Sequence, residues 1–215
     1  MYLEVMELYG LNSRLAGILS SVEFEEEGGI HITGADWYSD DLKLEFAIRT
    51  GENDEHQLWE AQITGVRDEL IKSDWAVQMQ LLEDHPLLWR FNDIQSELYF
   101  SKSTDKPYEL ISSILEAHHK IVSNWYSLSK FINYGQFPFI DLCKSSNALF
   151  AKGPKKVLAE YARILSEFKM RPNLFGDCDP KRWTGRKWVA ETEILRILII
   201  GESFVIAEDF DFERV

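Results

Sequence analysis

Between residues 42 and 48 the chain alternates: Leu42, Leu44, Phe46 and Ile48 are apolar, with Lys43, Glu45 and Ala47 between them. A period of two with one dry face predicts a β-strand. Trp75, Val77, Met79 and Leu81 repeat the pattern, and Trp59, Ala61 and Ile63 predict a third strand. Ile18, Val22 and Phe24 predict a fourth, ended by the run Glu25-Glu26-Glu27-Gly28-Gly29. Leu87–Phe91 and Ile94–Phe100 flank Asn92-Asp93, a pair that tolerates positive φ and so predicts a hairpin turn. The first hundred residues are therefore expected to form a largely antiparallel sheet with one face covered.

The period then changes. Ile111, Ile114, Leu115, His118, Ile121, Val122, Trp125, Leu128 and Ile132 recur at three- and four-residue spacing behind Asp105 and Pro107. This predicts a long helix that starts on a cap and a proline, ends near Asn133 with Gly135 as its stop, and covers the sheet. Residues 135–153 read as irregular, with Pro138 and Gly153 as breakers. A shorter helix is predicted from Pro154, with Val157, Leu158, Tyr161, Leu165 and Phe168 on its dry stripe and Pro172 beyond its end. Residues 169–188 read as a long basic loop. Ile194–Ile200 and Ser203–Glu208 then predict a C-terminal hairpin turning at Gly201, and the acid–aromatic alternation of 209–213 continues its second strand.

The expected fold class is α+β: a largely antiparallel β-sheet covered by a long helix, then a shorter helix and a C-terminal β-hairpin. A single domain over 1–215 is expected. A subdivision at Gly135 is the alternative, with sheet and long helix in 1–134, and helix and hairpin in 135–215.

Composition agrees with a folded chain, since 45% of the residues are hydrophobic and 13% aromatic. No apolar run is long enough to span a bilayer, so no membrane partner is expected. The N-terminal stretch has acids where a signal peptide needs bases, and there are only two cysteines, Cys143 and Cys178. A cytoplasmic location is the expectation.

Charge changes the picture most. The net charge is −13, which argues against double-stranded nucleic acid as a partner. Residues 1–151 hold 11 basic and 25 acidic side chains, and residues 188–215 hold 2 and 7. Residues 152–187 reverse the balance with 10 basic and 4 acidic. Lys155 and Lys156 open a helix, where free N–H groups already make the field positive, so they call for acids from elsewhere in the fold or for a bound anion. Trp183 and Trp188 bracket Thr184-Gly185-Arg186-Lys187, and aromatics interleaved with cations suit stacking or cation–π contact. The expected binding residues are Lys155, Lys156, Arg182, Trp183, Arg186 and Trp188. The bland alternative makes the cations solvated or internally neutralised, and the tryptophans anchors for a loop.

The run Ala35-Asp36-Trp37-Tyr38-Ser39-Asp40-Asp41 is acidic and aromatic. It suits a cation, a sugar or a basic protein surface, and equally a turn whose rings tuck under the sheet. Cys178 lies between Asp177 and Asp179, whose charge suppresses the thiolate a nucleophile needs. His118 and His119 are neighbours on a helix, point about 100° apart and do not share a metal; His118 reads as a hydrogen-bonded core residue. No phosphate loop, zinc motif or nucleophile elbow is present, so no metal or cofactor is expected and the chain leans away from catalysis. The function these observations favour is a non-catalytic binding protein, adaptor- or inhibitor-like, with a basic protein or a second copy as partner. The alternative is an enzyme or receptor holding an anionic ligand at 152–187.

Overall fold

The computed structural model describes residues 11–51, 56–133 and 138–215; the acidic N-terminal stretch and Gly135 lie outside them. In chain order, two short helices, α1 (Ser13–Leu19) and α2 (Val22–Glu27), precede β1 (Gly29–Tyr38), β2 (Asp41–Arg49), β3 (His56–Thr64), β4 (Asp68–Leu70), β5 (Trp75–Ala76) and β6 (Met79–Leu82). The middle of the chain forms α3 (Trp89–Asn92), β7 (Gln95–Ser101), α4 (Pro107–Val122), α5 (Phe139–Lys144), β8 (Asn147–Pro154), α6 (Lys155–Glu167), β9 (Arg171–Cys178), β10 (Lys181–Trp183) and β11 (Trp188–Ala190). Three strands finish it: β12 (Arg196–Ile200), β13 (Ser203–Ala207) and β14 (Asp209–Arg214). The fold is mixed α+β and its sheets are antiparallel.

These elements sort into two compact units. The first joins Met1–His85 to Glu193–Val215, and the second is Pro86–Thr192. The second is thus inserted between β6 and β12 of the first, and the expected division point at Gly135 falls inside it.

The first unit is a closed β structure. β14, β3, β2, β1 and β5 pair in that order, and β4, β13, β12 and β6 form a second ladder. Three strand lines serve both ladders: β3 leads into β4, β5 into β6 and β13 into β14. Main-chain bonds carry the pairing around one bend, from Arg67 N–H to Ile206 O (2.8 Å) and from Glu208 N–H to Thr64 O (3.1 Å). The pairing therefore makes a circuit, although β1 meets β5 only at Ile30 and His31, so it shortens the open edges that invite aggregation. Gly65, at φ +64°, makes the same bend. Its N–H donates to Asp41 Oδ1 at 3.0 Å, and Arg67 ties the corner by donating to Gly65 O and to Glu208.

The barrel core is what the alternation foretold: Leu42, Leu44, Phe46, Ile48, Trp59 and Ile63 are all buried. The β5–β6 line departs from the expected strand. Ala76 is buried while Trp75 and Val77 are exposed, and the burial phase resets so that Met79 and Leu81 point inward. Ile18, Val22 and Phe24 lie in α1 and α2 rather than in a strand. Asn12 Oδ1 accepts from Leu15 N–H at 2.8 Å and Ser21 Oγ from Phe24 N–H at 3.3 Å, so each short helix has a side-chain N-cap. Leu15, Leu19 and Phe24 join the barrel core.

The covering of that sheet by the long helix is not confirmed. The barrel core contains none of its residues, whereas Leu110, Ile114 and Val122 of α4 lie in a separate core with Leu98, Phe100 and Phe150 of β7 and β8. The helix also stops early. Ser123 takes φ +50°, and the apolar period beyond it is spent on a 3₁₀ turn at Leu128–Lys130 and a β-bridge at Ile132. In this second unit β7 is central, between β8 and β9, with α4, α5 and α6 contributing to the same core. Leu87–Phe91 is a 3₁₀ turn and the start of α3, not a strand. Residues 139–154 are α5 and β8 rather than irregular, and the expected basic loop is the edge strand β9 followed by a hairpin of its own, β10–β11. The C-terminal hairpin forms as expected, turning at Gly201 with φ +57°, and 209–214 continues as β14 against β3.

Candidate functional site

The start of α6 is built on acids from other strands. Lys156 N–H donates to Asp93 Oδ2 at 2.9 Å, so a carboxylate from the α3–β7 turn caps the helix that Pro154 begins. Lys155 pairs with Asp177, and Ser96 Oγ, almost fully buried, donates to the other oxygen of the same carboxylate at 2.5 Å. These two partners, Lys155 first, hold the Asp177 carboxyl below its ordinary pKa. Lys152 pairs with Glu97, which also accepts from Tyr99 Oη at 2.8 Å. Glu97 is likewise held low, chiefly by Lys152, and Tyr99 is pushed up by its bond to Glu97. The ammonium of Lys156 lies 5.1 Å from the Trp89 ring centroid. Lys155 and Lys156, placed among the binding residues by sequence, are thus largely occupied by partners within their own unit. An open depression of about 580 Å³ beside them is lined by Gln95, Ser96, Glu97, Lys152 and Cys178.

The other four expected residues come together on the β10–β11 hairpin. Lys181 faces Ala190, Arg182 faces Val189 and Trp183 faces Trp188, leaving Thr184–Lys187 as the turn. Gly185 takes φ +81° there, and Thr184 closes the turn with bonds from its N–H and Oγ to Lys187 O. The strand period splits the hairpin into two faces. Arg182 and Val189 are half-buried, and Arg182 lies 3.8 Å from Glu191. Lys181, Trp183, Trp188 and Ala190 are exposed. The two indoles pack on one another with centroids 5.6 Å apart and remain 54% and 65% exposed. Lys181, Arg186 and Lys187 make no ion pair with any described residue. The tryptophans do not pin a loop to the core; they stabilise a small hairpin by pairing across it and still offer most of their surface.

Sequence alone left the acidic run 35–41 open, and the structure resolves its shape. Asp36, Trp37 and Tyr38 are the last residues of β1, and Ser39-Asp40 is a two-residue turn into β2, with Ser39 at φ +62°. The rings do not tuck under the sheet: Trp37 is 46% and Tyr38 61% exposed. Asp41 is committed to Gly65 N–H, while Asp36 and Asp40 make no ion pair with described residues. A register shift between Ile32 and Gly34 changes the phase of β1, and from Ala35 to Tyr38 every residue is exposed.

The remaining candidates are structural. His118 is buried, with Nδ1 2.7 Å from Tyr161 Oη and Nε2 2.7 Å from Tyr126 O, as a satisfied core histidine should be; burial keeps its pKa below the ordinary value. Burial pushes the Cys143 thiol up to about 12, and Cys178 is an exposed free thiol. Among the described residues no three His, Cys, Asp or Glu side chains are grouped to hold a metal ion, and no helix is long and apolar enough to cross a membrane.

Charge separates with the units. The barrel unit holds 7 basic and 25 acidic side chains, net −18, and the inserted unit 16 and 11, net +5. Each unit carries an exposed aromatic hairpin tip, acidic at β1–β2 in the barrel unit and basic at β10–β11 in the inserted unit. Compared with protein families, curated proteins and solved structures, the chain matches none.

Proposed function

We propose that this chain is a non-catalytic interaction protein, adaptor- or inhibitor-like, whose acidic barrel unit takes a basic protein partner at the β1–β2 tip. The observation that carries the reading is the exposure of Trp37 and Tyr38 beside Asp36 and Asp40, two carboxylates with no ion pair among the described residues, on a unit of net −18. Aromatic side chains supply contact area at little entropic cost, and a field of one sign steers a partner of the other. A cytoplasmic setting goes with this reading, because Cys178 is an exposed free thiol.

The alternative, an anionic small ligand at residues 152–187, has less support at Lys155 and Lys152, whose charges Asp177 and Glu97 already balance. Parallel capture experiments with the natural protein and an Asp36→Asn, Trp37→Ala, Asp40→Asn variant test the proposal. The expected outcome is a basic protein held by the natural chain at about 50 mM salt, released near 0.5 M and not held by the variant. Identical capture by both proteins would overturn it.

A further inference from the structure

We infer that the basic hairpin β10–β11 is a docking element for a second copy of this chain, and that its seat is the acidic β1–β2 tip of that copy. The inference shares the tip with the proposed partner site but does not depend on a partner existing.

The two tips are complementary in kind. One presents Trp183 and Trp188 with Lys181, Arg186 and Lys187; the other presents Trp37 and Tyr38 with Asp36 and Asp40. All four rings are roughly half or more exposed. The three cations and two carboxylates make no ion pair with any described residue, and each set is gathered on one hairpin beside two exposed rings. Rings meeting rings with unlike charges around them reproduces an interface core and its polar rim.

Net charge opposes this association and local charge favours it. Two bodies of −13 repel at long range, yet at about 0.1 M salt the screening length is about 10 Å, so the repulsion fades while contacts between the tips persist. The contact joins unlike surfaces, so it either closes as a reciprocal pair or continues as a chain. Two hairpin tips form a small interface, so association is expected to be weak.

The experiment is sedimentation of the pure natural protein from about 5 to 500 μM at about 0.1 M salt. The average mass is expected to rise with concentration above 25.1 kDa, toward twice that value for a closed pair and beyond it for a chain. Arg186→Glu with Lys187→Glu, or Asp36→Lys with Asp40→Lys, is expected to leave a monomer; both indoles remain, so the hairpin keeps its cross-strand pair. Equal mixing of the two variants, one with two acidic tips and one with two basic tips, is expected to restore association. A natural protein that stays monomeric, an assembly indifferent to either reversal, or a mixture that stays monomeric would each overturn the inference. None of these outcomes bears on capture of a basic partner, so the two proposals fail separately.

Discussion

The two units are nearly equal in length and handle polar groups in opposite ways. The barrel unit closes its sheet, keeps its apolar residues inside and leaves 25 acids against 7 bases, an excess its own cations cannot balance. The inserted unit leaves its sheet open at β9, covers the dry face with helices and neutralises several of its cations on the spot, Lys152 on Glu97, Lys155 on Asp177 and Arg163 on Glu160 and Glu167. Charge density by itself therefore marks no contact surface. Among the described residues Lys102, Lys130, Lys169 and Arg171 make no ion pair either; what sets Lys181, Arg186 and Lys187 apart is that they share one hairpin with two exposed indoles.

Substitutions can break or sharpen this contrast. The largest expected effects are in the cores: Phe46→Ala in the barrel and Phe150→Ala in the inserted unit, both fully buried, should each cost about 3–5 kcal/mol in denaturant unfolding. A loss under about 1 kcal/mol at either would show that core to be loosely packed.

Next comes the buried histidine. Tyr161→Phe removes the hydroxyl that bonds His118 Nδ1 and should cost about 1–2 kcal/mol. The folded pKa of His118 lies below its ordinary 6.5, so the unfolded chain takes up the proton first. The stability held by the neutral imidazole is full above pH 6.5 and is lost as pH falls through the folded pKa. Unfolding measured at pH 7.5 and 5.5 should show that fall in the natural chain and a smaller one in His118→Gln; equal falls would count against the assignment.

Removing the carboxylate cap by Asp93→Ala should cost about 0.5–2 kcal/mol, seen as weaker amide-exchange protection at the start of α6. Trp188→Ala should cost the hairpin about 0.2–1 kcal/mol and abolish the near-ultraviolet dichroism of the indole pair. Smallest of all, Asp177→Asn keeps an oxygen to accept from Ser96 Oγ while it breaks the exposed ion pair, and should shift the unfolding midpoint only slightly, which separates neutralisation from stabilisation at Lys155.

Sequence revealed the elements whose signal is local. The strands at 42–48 and 59–63 obey a clean period of two, the helix from Pro154 has a full apolar stripe, and the Gly201 hairpin carries its own turn residue. Competing local signals hid others. Ile18 and Val22 lie four apart, a helical spacing, and the caps Asn12 and Ser21 were the available clue to α1 and α2. In β9, Pro172 and Leu174 do alternate with polar neighbours, but Pro172 and Gly176 read as loop. An edge strand tolerates that proline because a position on its outer side needs no N–H donor for the sheet, and proline has none to give.

Which helix covers which sheet is a non-local fact. The first strands are completed by residues 196–214 and not by the helix that follows them in sequence. Of the expected site residues, the four on the hairpin share one element because alternation and turn geometry are local. The engagement of Lys155 by Asp177 and the cap from Asp93 needed strands that sequence reading did not supply.

The insertion between β6 and β12 orders events during synthesis. Every strand of the inserted unit emerges from the ribosome before β12, β13 and β14, the strands that close the barrel. The inserted unit can mature while β1 to β6 wait with exposed strand edges and apolar faces. A chain stopped short of residue 196 keeps that hazard permanently, so the last twenty residues guard the nascent protein against association with its neighbours.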